Sequence, residues 1–307
     1  MSEPANSEKR SRSFLSWWDL PVLLTVLAAV ATAILIPRLY RPAPKPFFPR
    51  TSSEFLAPAQ INEITARARA VLEKNPQDIN ALTDLAVAAF QEGPDHALEC
   101  IEYGQRALDL GALDERLFYY TGASYETKGL NGYAAEEFER YLRHHPDDLE
   151  IRLRAGNLYY RTGDLDKAQA AFQSVAAVRP GDPLVSFNLA MVLRDRQMWK
   201  EGLDVLTPVL DRDKTLPAGG FRVLGDLFHG LKKTDEALAA YRKEAERSPD
   251  DADLAAVVAQ TLDDAGRSQE ALEAWKRVLD LNPKNKLAAA KIRVLHRKLR
   301  REARRKR

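Results

Sequence analysis

A period of 34 residues runs through most of this 307-residue chain, and no other feature limits its fold as strongly. Each repeat carries an alanine, a large apolar residue four positions later and a proline eight positions after that. A unit of this length cannot bury its apolar face alone, so neighbouring units must stack to form a continuous core. The recurring positions are Ala134, Phe138 and Pro146; Ala168, Phe172 and Pro180; Ala237, Tyr241 and Pro249; and Ala271, Trp275 and Pro283.

Each recurring residue type has a mechanical role in a pair of antiparallel helices. A glycine 12 residues before the alanine lets the two helices approach closely, and a glycine between the helices supplies the turn. The large apolar residue fills the space between neighbouring hairpins, and the proline ends the second helix. An aspartate after the proline is expected near the N-cap of the next helix. These residues are the contact glycines Gly122, Gly156 and Gly225, the turn glycines Gly129, Gly163 and Gly266, and the aspartates Asp147, Asp182 and Asp250.

The unit at 149–182, LEIRLRAGNLYYRTGDLDKAQAAFQSVAAVRPGD, resembles a tetratricopeptide repeat (TPR). It matches the family's positions in Gly156, Tyr159, Ala168, Phe172 and Pro180. The resemblance implies an all-α fold, a right-handed α-solenoid of helical hairpins, over roughly three quarters of the chain. We place the array at 61–290, as a half-unit at 61–76 and units at 79–114, 115–148, 149–182, 183–216, 218–251 and 252–285, with a capping helix and basic tail at 286–307.

The unit at 183–216 departs from the pattern. Ala190 stands at the position of the contact glycine, Gly202 at that of the packing alanine, and Pro208 falls within the second helix. We therefore expect a looser hairpin, a kinked or short second helix, and a bend in the array near 214–220. Ordinary drift among repeats is the alternative explanation.

An uncharged run of 17 residues, LPVLLTVLAAVATAILI, begins at Leu20. With Trp17, Trp18 and Tyr40 at its flanks, it approaches the length that spans a bilayer. We predict a short polar tail at 1–19, one transmembrane anchor at 20–37 and a proline-rich linker at 38–60 that is not regular helix. The alternatives are a signal peptide with a cleavage site around Ala33, a buried soluble helix, and a linker that serves as a recognition peptide.

The orientation of the predicted anchor is open, because basic residues flank it almost equally. Lys9, Arg10 and Arg12 precede the anchor, and four basic residues follow it before position 51. This count favours a cytosolic array, whereas most single N-terminal anchors keep a short tail inside the cell. The balance leans slightly to an extracytoplasmic array.

Charge is unevenly distributed along the chain. The last 17 residues carry a net charge of +9 while the whole chain carries +2, which leaves −7 on the first 290 residues. Leu287, Ile292, Leu295 and Leu299 form a partial apolar stripe, so this segment is expected to begin as a capping helix and to fray beyond Leu299. The tail is either solvated or in contact with anionic lipid, with an acidic protein or with nucleic acid, for which the chain has no reading module.

No sequence motif predicts a catalytic, cofactor or metal site. The chain has no H-E-x-x-H pair, no phosphate-binding loop and no nucleophile elbow. Its single cysteine, Cys100, excludes a cysteine cluster and lies on an apolar helix face as a core residue. We therefore predict a protein that is not an enzyme, with no cofactor and no metal.

In arrays that resemble this one, the first helices of the units line a concave groove. The resemblance implies a lining of Arg116, Tyr119, Asn157, Tyr160, Arg161, Phe187, Asn188, Met191, Arg194, Arg222 and Asp226, with Asp253, Asp263 and Asp264 in the last unit. The asparagines suit a peptide backbone, the arginines suit carboxylates, and the rings offer flat contact area. We expect a partner that is acidic towards the middle units and basic towards the last. The alternative is that these positions are simply solvated. The candidate peptide-binding residues are Tyr119, Asn157, Tyr160, Arg161, Phe187, Asn188, Arg194 and Arg222.

Chaperone-binding members of the family hold a C-terminal carboxylate with basic residues and asparagines spread over three units. This chain offers two asparagines and Arg222, but Leu153, Leu184 and Gly219 stand where basic groups are expected, so we do not predict chaperone binding. We predict a membrane-anchored scaffold that recruits protein partners through the groove. The alternatives are a self-associating assembly factor that uses its hairpin edges, and an adaptor whose basic tail contacts anionic lipid or nucleic acid.

Overall fold

The computed structural model describes residues 55–213 and 216–305, and in these ranges the regular structure is α-helical apart from a 3₁₀ turn at Pro94–His96. The predicted polar tail, the anchor and most of the linker lie outside the described residues. The helices are α1 Pro58–Lys74, α2 Ile79–Glu92, α3 Ala97–Asp109, α4 Arg116–Thr127, α5 Asn131–His144, α6 Leu149–Thr162, α7 Leu165–Val178, α8 Pro183–Asp195, α9 Trp199–Asp213, α10 Gly220–Gly230, α11 Thr234–Arg247, α12 Ala252–Asp264, α13 Ser268–Leu281 and α14 Lys286–Arg305.

The helices pair into hairpins because a glycine on the first helix faces a large ring on the second. A Cβ atom added at Gly122 would lie 2.8 Å from the ring of Phe138, and one at Gly156 would lie 2.7 Å from Phe172. Only glycine leaves room for such a contact in a close-packed interior. Phe172 also packs against Leu189 in the next hairpin, which confirms that the large residues fill the space between units.

The turn inside each hairpin needs one residue in the left-handed region. Gly129, Gly163 and Gly266 take this conformation with φ values of 73°, 83° and 72°. Gln197 and Lys232 occupy the same position of their units, each with φ of 59°. Since a side chain strains this conformation, the hairpin geometry overrides the preference of these two residues.

The helix starts differ from the sequence prediction by one to three residues. Asp182 caps α8 as expected, but the caps of α6 and α12 are Asp148 and Asp251, not Asp147 and Asp250. The capping side chain must belong to the last non-helical residue, from which it reaches the free N–H groups of the first turn. Helix α1 begins at Pro58, inside the predicted linker, because the first turn does not use the N–H that proline lacks.

The unit at 183–216 is packed, and the prediction of a short second helix was wrong. Helix α9 has 15 residues and continues through Pro208. Ala190 and Leu206 are fully buried within the hairpin. A Cβ added at Gly202 would lie 2.6 Å from Cδ2 of Leu227 in the next unit, so this glycine is needed by a contact between units.

The last helix closes the array on one side only. Ala288 and Leu295 are buried against the hairpin formed by α12 and α13, while Ile292 and Leu299 pack partly against it. The expected fraying beyond Leu299 was wrong, since α14 continues to Arg305. Arginine, lysine and alanine are good helix formers, and positive charges near a helix C-terminus complement its dipole.

Candidate protein-binding face

The first helices of successive units lie beside one another, and we call the surface they share the first-helix face. It is formed by α2, α4, α6, α8, α10 and α12. Direct contacts join α2 to α4, α6 to α8, and α8 to α10. The side chains predicted to line a groove all belong to these helices. What they can bind depends on how many are already used between units.

Tyr119 lies too deep to offer a flat binding surface. It is only 6% exposed, with its ring against Phe90, Tyr120 and Phe138. This candidate is therefore part of the aromatic core between α2, α4 and α5, and its inclusion in the groove surface is corrected. The sequence pattern missed this because α2 has no close match to the repeat.

Arg154 is a residue of this face that the sequence analysis did not single out. Its guanidinium donates to Oε2 of Glu126 at 2.6 Å and to the hydroxyl of Tyr119 at 3.3 Å. It also lies over the ring of Phe138, 4.9 Å from the centroid. Arg154 occupies the same position in its unit as Asn188 does in the next, and that equivalence could have identified it.

Asn157 and Asn188 come together across the α6–α8 boundary. The side-chain amide of Asn188 donates to Oδ1 of Asn157 at 3.1 Å. Asn157 is exposed, and its own amide nitrogen has no hydrogen bond to a described residue, whereas Asn188 is 9% exposed. The pair therefore leaves one outward-facing donor for a ligand.

A polar network continues from α6 to α11. Tyr160 donates to Asp195 at 2.6 Å and accepts from Arg194, which also donates to Asp226 at 3.2 Å. Asp226 in turn accepts from Tyr241 at 2.8 Å. Partial burial, followed by the hydrogen bond to Asp195, raises the pKa of Tyr160 to about 12, so the hydroxyl stays a donor at neutral pH. Tyr160 and Arg194 are thus committed to holding three units in register.

The remaining candidates divide into packed and free side chains. Phe187 and Met191 lie half-buried against the core of the next hairpin. Arg161 is exposed and Arg222 half-exposed, and neither makes a hydrogen bond or an ion pair with a described residue. These two arginines are the cations of the middle units that a carboxylate could reach without breaking the network.

The acidic end predicted for the last unit is partly neutralised. Asp263 pairs with Lys291 of α14 at 2.8 Å, and Asp264 lies 4.0 Å from His229. Of these acids only Asp253 lacks an ion pair within the described ranges. The expected basic part of a partner therefore has a weaker counterpart than the sequence implied.

Metal and membrane sites are not found in the part of the chain that the structure describes. No group of three or more His, Cys, Asp or Glu side chains there could hold a metal ion. None of the helices in those ranges is both long and apolar enough to cross a bilayer. Cys100 is fully buried, and burial raises the pKa of its thiol to about 12, as fits a core residue.

Comparisons with known proteins agree with this architecture. Two family models described as tetratricopeptide repeat match residues 133–189 and 187–252. The C-terminal part of a TPR repeat-containing protein from Cytophaga hutchinsonii is 16% identical with a TM-score of 0.55, over 76% of this chain and 95% of that one. MamA from Desulfovibrio magneticus RS-1 is 19% identical with a TM-score of 0.52, over 57% and 98%.

Other comparisons add little. A chain of the APC/C hetero-tetramer Cut9–Hcn1 is 16% identical with a TM-score of 0.49, over 77% of this chain. Our chain spans about half of that one, 46% of its length. No curated protein sequence matches the chain at a significant level. At these identities the solved structures support the fold alone, and together with the matched repeats they identify the chain as a tetratricopeptide-repeat protein with an array of TPR helical hairpins.

Proposed function

We propose that this protein is a membrane-anchored scaffold that recruits a protein partner along the first-helix face between α6 and α10. TPR arrays are in general protein–protein interaction scaffolds and typically non-catalytic. The fold alone does not identify a partner, so the proposal depends on which side chains of the face are free.

The observation that carries the proposal is the half-satisfied asparagine pair beside a free arginine. Asn157 keeps an exposed amide donor, and Arg161 follows it on the next turn of α6 with no described carboxylate partner. An amide donor can pair with the carbonyl of an extended peptide, and a guanidinium can pair with an acidic side chain of the same peptide. We propose that Arg222 on α10 provides a second acid-binding point.

The paired residues define the rest of the partner's chemistry. Arg194 is already neutralised by Asp195 and Asp226, so it is not the carboxylate receptor that its position implied. The half-buried Phe187 offers the apolar contact between Asn157 and Arg222 along the array. The proposed partner segment is therefore extended, with an apolar centre and sparse acidic residues.

Anchoring is the second part of the proposal. The uncharged run at 20–36 lies outside the described residues, and we propose that it tethers the array to a membrane. A topology reporter fused after Arg307 tests the orientation, because it becomes active on only one side of the membrane. We expect the extracytoplasmic side, and activity on the cytosolic side would contradict this.

Alanine substitution tests the binding face in the full chain. Asn157→Ala combined with Arg161→Ala is expected to reduce chemically cross-linked partner at least about tenfold, as the loss of a hydrogen bond and an ion pair at one interface predicts. Gln173→Ala combined with Arg179→Ala is the matched control, since both residues are exposed and lie outside the first helices. If the first variant keeps its fold by circular dichroism and its cross-links, the proposal is wrong.

Self-association is a second candidate, favoured by an exposed aromatic pair at the turn between α4 and α5. Tyr125 and Tyr133 stack at 5.3 Å, Tyr133 is 60% exposed, and Leu130 beside them is 42% exposed. Combined Leu130→Ser and Tyr133→Ser substitutions are expected to lower the mass of any oligomer in sedimentation equilibrium. A monomeric mass of the unsubstituted chain at all concentrations would exclude this candidate.

A further inference from the structure

The last helix, α14, carries a one-sided row of unpaired basic residues. Its inner face is used up by the packing of Ala288 and Leu295 against the last hairpin. On the opposite side, basic residues recur at intervals of 7, 4, 3 and 4, which places them on one face of an α-helix. We call this row the basic ridge; it consists of Lys286, Arg293, Arg297, Arg300 and Arg304, all exposed.

The charge of the basic ridge is not neutralised within the described residues. The side chains of Arg293 and Arg297 donate only to carbonyl oxygens of their own helix, at 3.2 and 3.3 Å. The printed ion pair of this helix joins Lys291, off the ridge, to Asp263 at 2.8 Å. Glu302 is the only acidic residue of α14, and its sequence position puts it near the packed side.

Other arginines of the array are paired, so the ridge is exceptional. Arg154 pairs with Glu126, Arg194 with Asp226, and Arg267 with both Asp235 and Glu270. On α14, by contrast, like charges four residues apart, such as Arg293 and Arg297, destabilise the helix that carries them. A surface that supplied negative charge would relieve this repulsion.

The geometry points to the surface of an anionic lipid bilayer as the occupant of the basic ridge. The ridge spans 18 residues, or about 27 Å at the rise of an α-helix, and presents its cations in one direction. Long basic side chains can reach the phosphates of several lipid headgroups at once. The ridge therefore fits an extended, multivalent anionic surface better than a single acidic side chain.

Nucleic acid is the competing polyanion, and the composition of α14 argues against it. The helix KLAAAKIRVLHRKLRREARR has no aromatic ring on which a base could stack and no amide that could read a base edge. The predicted anchor would also hold the array close to a bilayer and raise the local concentration of headgroups. This last argument rests on the proposed anchoring, whereas the ridge itself does not depend on partner binding.

Hydrogen exchange of the full chain reconstituted in vesicles tests the proposal. Amides of residues 293–305 are expected to exchange at least about threefold more slowly on vesicles with about 30% phosphatidylserine than on pure phosphatidylcholine, because contact stabilises the end of the helix. Raising the ionic strength to about 0.5 M should remove the difference by screening. Flotation with phosphatidylcholine vesicles separately reports whether the chain is anchored.

Charge-matched variants separate the ridge from a general effect of net charge. Glutamine at Arg293, Arg297, Arg300 and Arg304 should abolish the slowing on anionic vesicles. Glutamine at four exposed lysines elsewhere, Lys74, Lys128, Lys232 and Lys284, should leave it unchanged. Equal exchange on both vesicle types, or a larger slowing by RNA oligomers at equal phosphate concentration, would overturn the proposal.

Discussion

The neighbouring units at 149–182 and 183–216 reach the same packing with opposite placements of small and large residues. In the first, Gly156 on the first helix receives the ring of Phe172 from its own hairpin. In the second, the glycine is on the second helix, where Gly202 receives Leu227 from the next hairpin. A helical hairpin array therefore needs a small residue opposite a large one at each close crossing, and not a particular residue at each position.

The two units also differ in how the following helix begins. The unit at 149–182 starts with Asp148, whose side chain accepts the N–H of Ile151. The unit after 183–216 has Gly219 at this position, and Glu244 from α11 accepts the N–H groups of Gly219 and Phe221 at 2.9 and 3.1 Å. A residue 25 positions away in the chain thus replaces a local cap.

The largest effect is expected from alanine at the contact glycines. Gly156→Ala places a methyl group against the rigid ring of Phe172, so we expect unfolding free energy to fall by about 2 kcal/mol despite a gain in helix propensity. Gly202→Ala meets only the flexible end of Leu227, so we expect a change of about 1 kcal/mol or less. Urea unfolding followed by circular dichroism measures both.

Gly132→Ala is the control for this comparison, because a Cβ added there meets no other atom within 4 Å. We expect it to be neutral or slightly stabilising. Equal losses at Gly156 and Gly202 would mean that the two crossings are alike and that the proposed reversal has no energetic consequence.

Removal of the distant cap should have the next largest effect. Glu244→Ala leaves two backbone N–H groups at the start of α10 without their acceptor, and we expect a loss of about 1.5 kcal/mol. Asp148→Ala, at a local cap, should cost about 1 kcal/mol. Hydrogen exchange of the first turn of α10 should accelerate in the first variant only, and acceleration in both would contradict the assignment.

The strained turn residues should respond in the opposite direction. Gln197→Gly and Lys232→Gly relieve a left-handed conformation, so each is expected to raise the unfolding free energy by about 1 kcal/mol. Gly163→Ala, in the regular unit, should lower it by about 1 kcal/mol. The thermal midpoint measures all three variants, and a decrease for Gln197→Gly would show that the turn is not strained.

The smallest effect is expected at the boundary between the two units. Tyr160→Phe removes the hydrogen bond to Asp195, and since this bond is partly exposed to water we expect a loss of about 0.5 kcal/mol. Tyr133→Phe is the control, because Tyr133 makes no hydrogen bond to a described residue. Equal losses for the two variants in urea unfolding would mean that the network does not hold the units together.

The regular hairpins could be read from the sequence because their determinants are local and periodic. Phe138, Phe172, Tyr241 and Trp275 are all at most 1% exposed, as their positions in the repeat indicated. Cap positions were missed by one residue at Asp148 and Asp251, since a choice between adjacent aspartates depends on backbone geometry.

The binding face was less predictable. The repeat pattern placed Arg194 and Tyr160 on the first-helix face, but it could not tell that they bind each other and Asp195 and not a ligand. Side chains from different units meet only after stacking, so the charge that remains free is a property of the assembled array. Arg161 and Arg222 are left over by that pairing.

The sequence by itself determined the period, the pairing of helices and the residues buried between them, because each depends on side-chain size at a fixed spacing. It also showed the excess of positive charge near the end of the chain. Only the tertiary structure decided that Gly202 serves the next hairpin, that Glu244 caps a helix from a distance, and which charges are neutralised. Those outcomes depend on contacts between residues far apart in the chain, which no local pattern records.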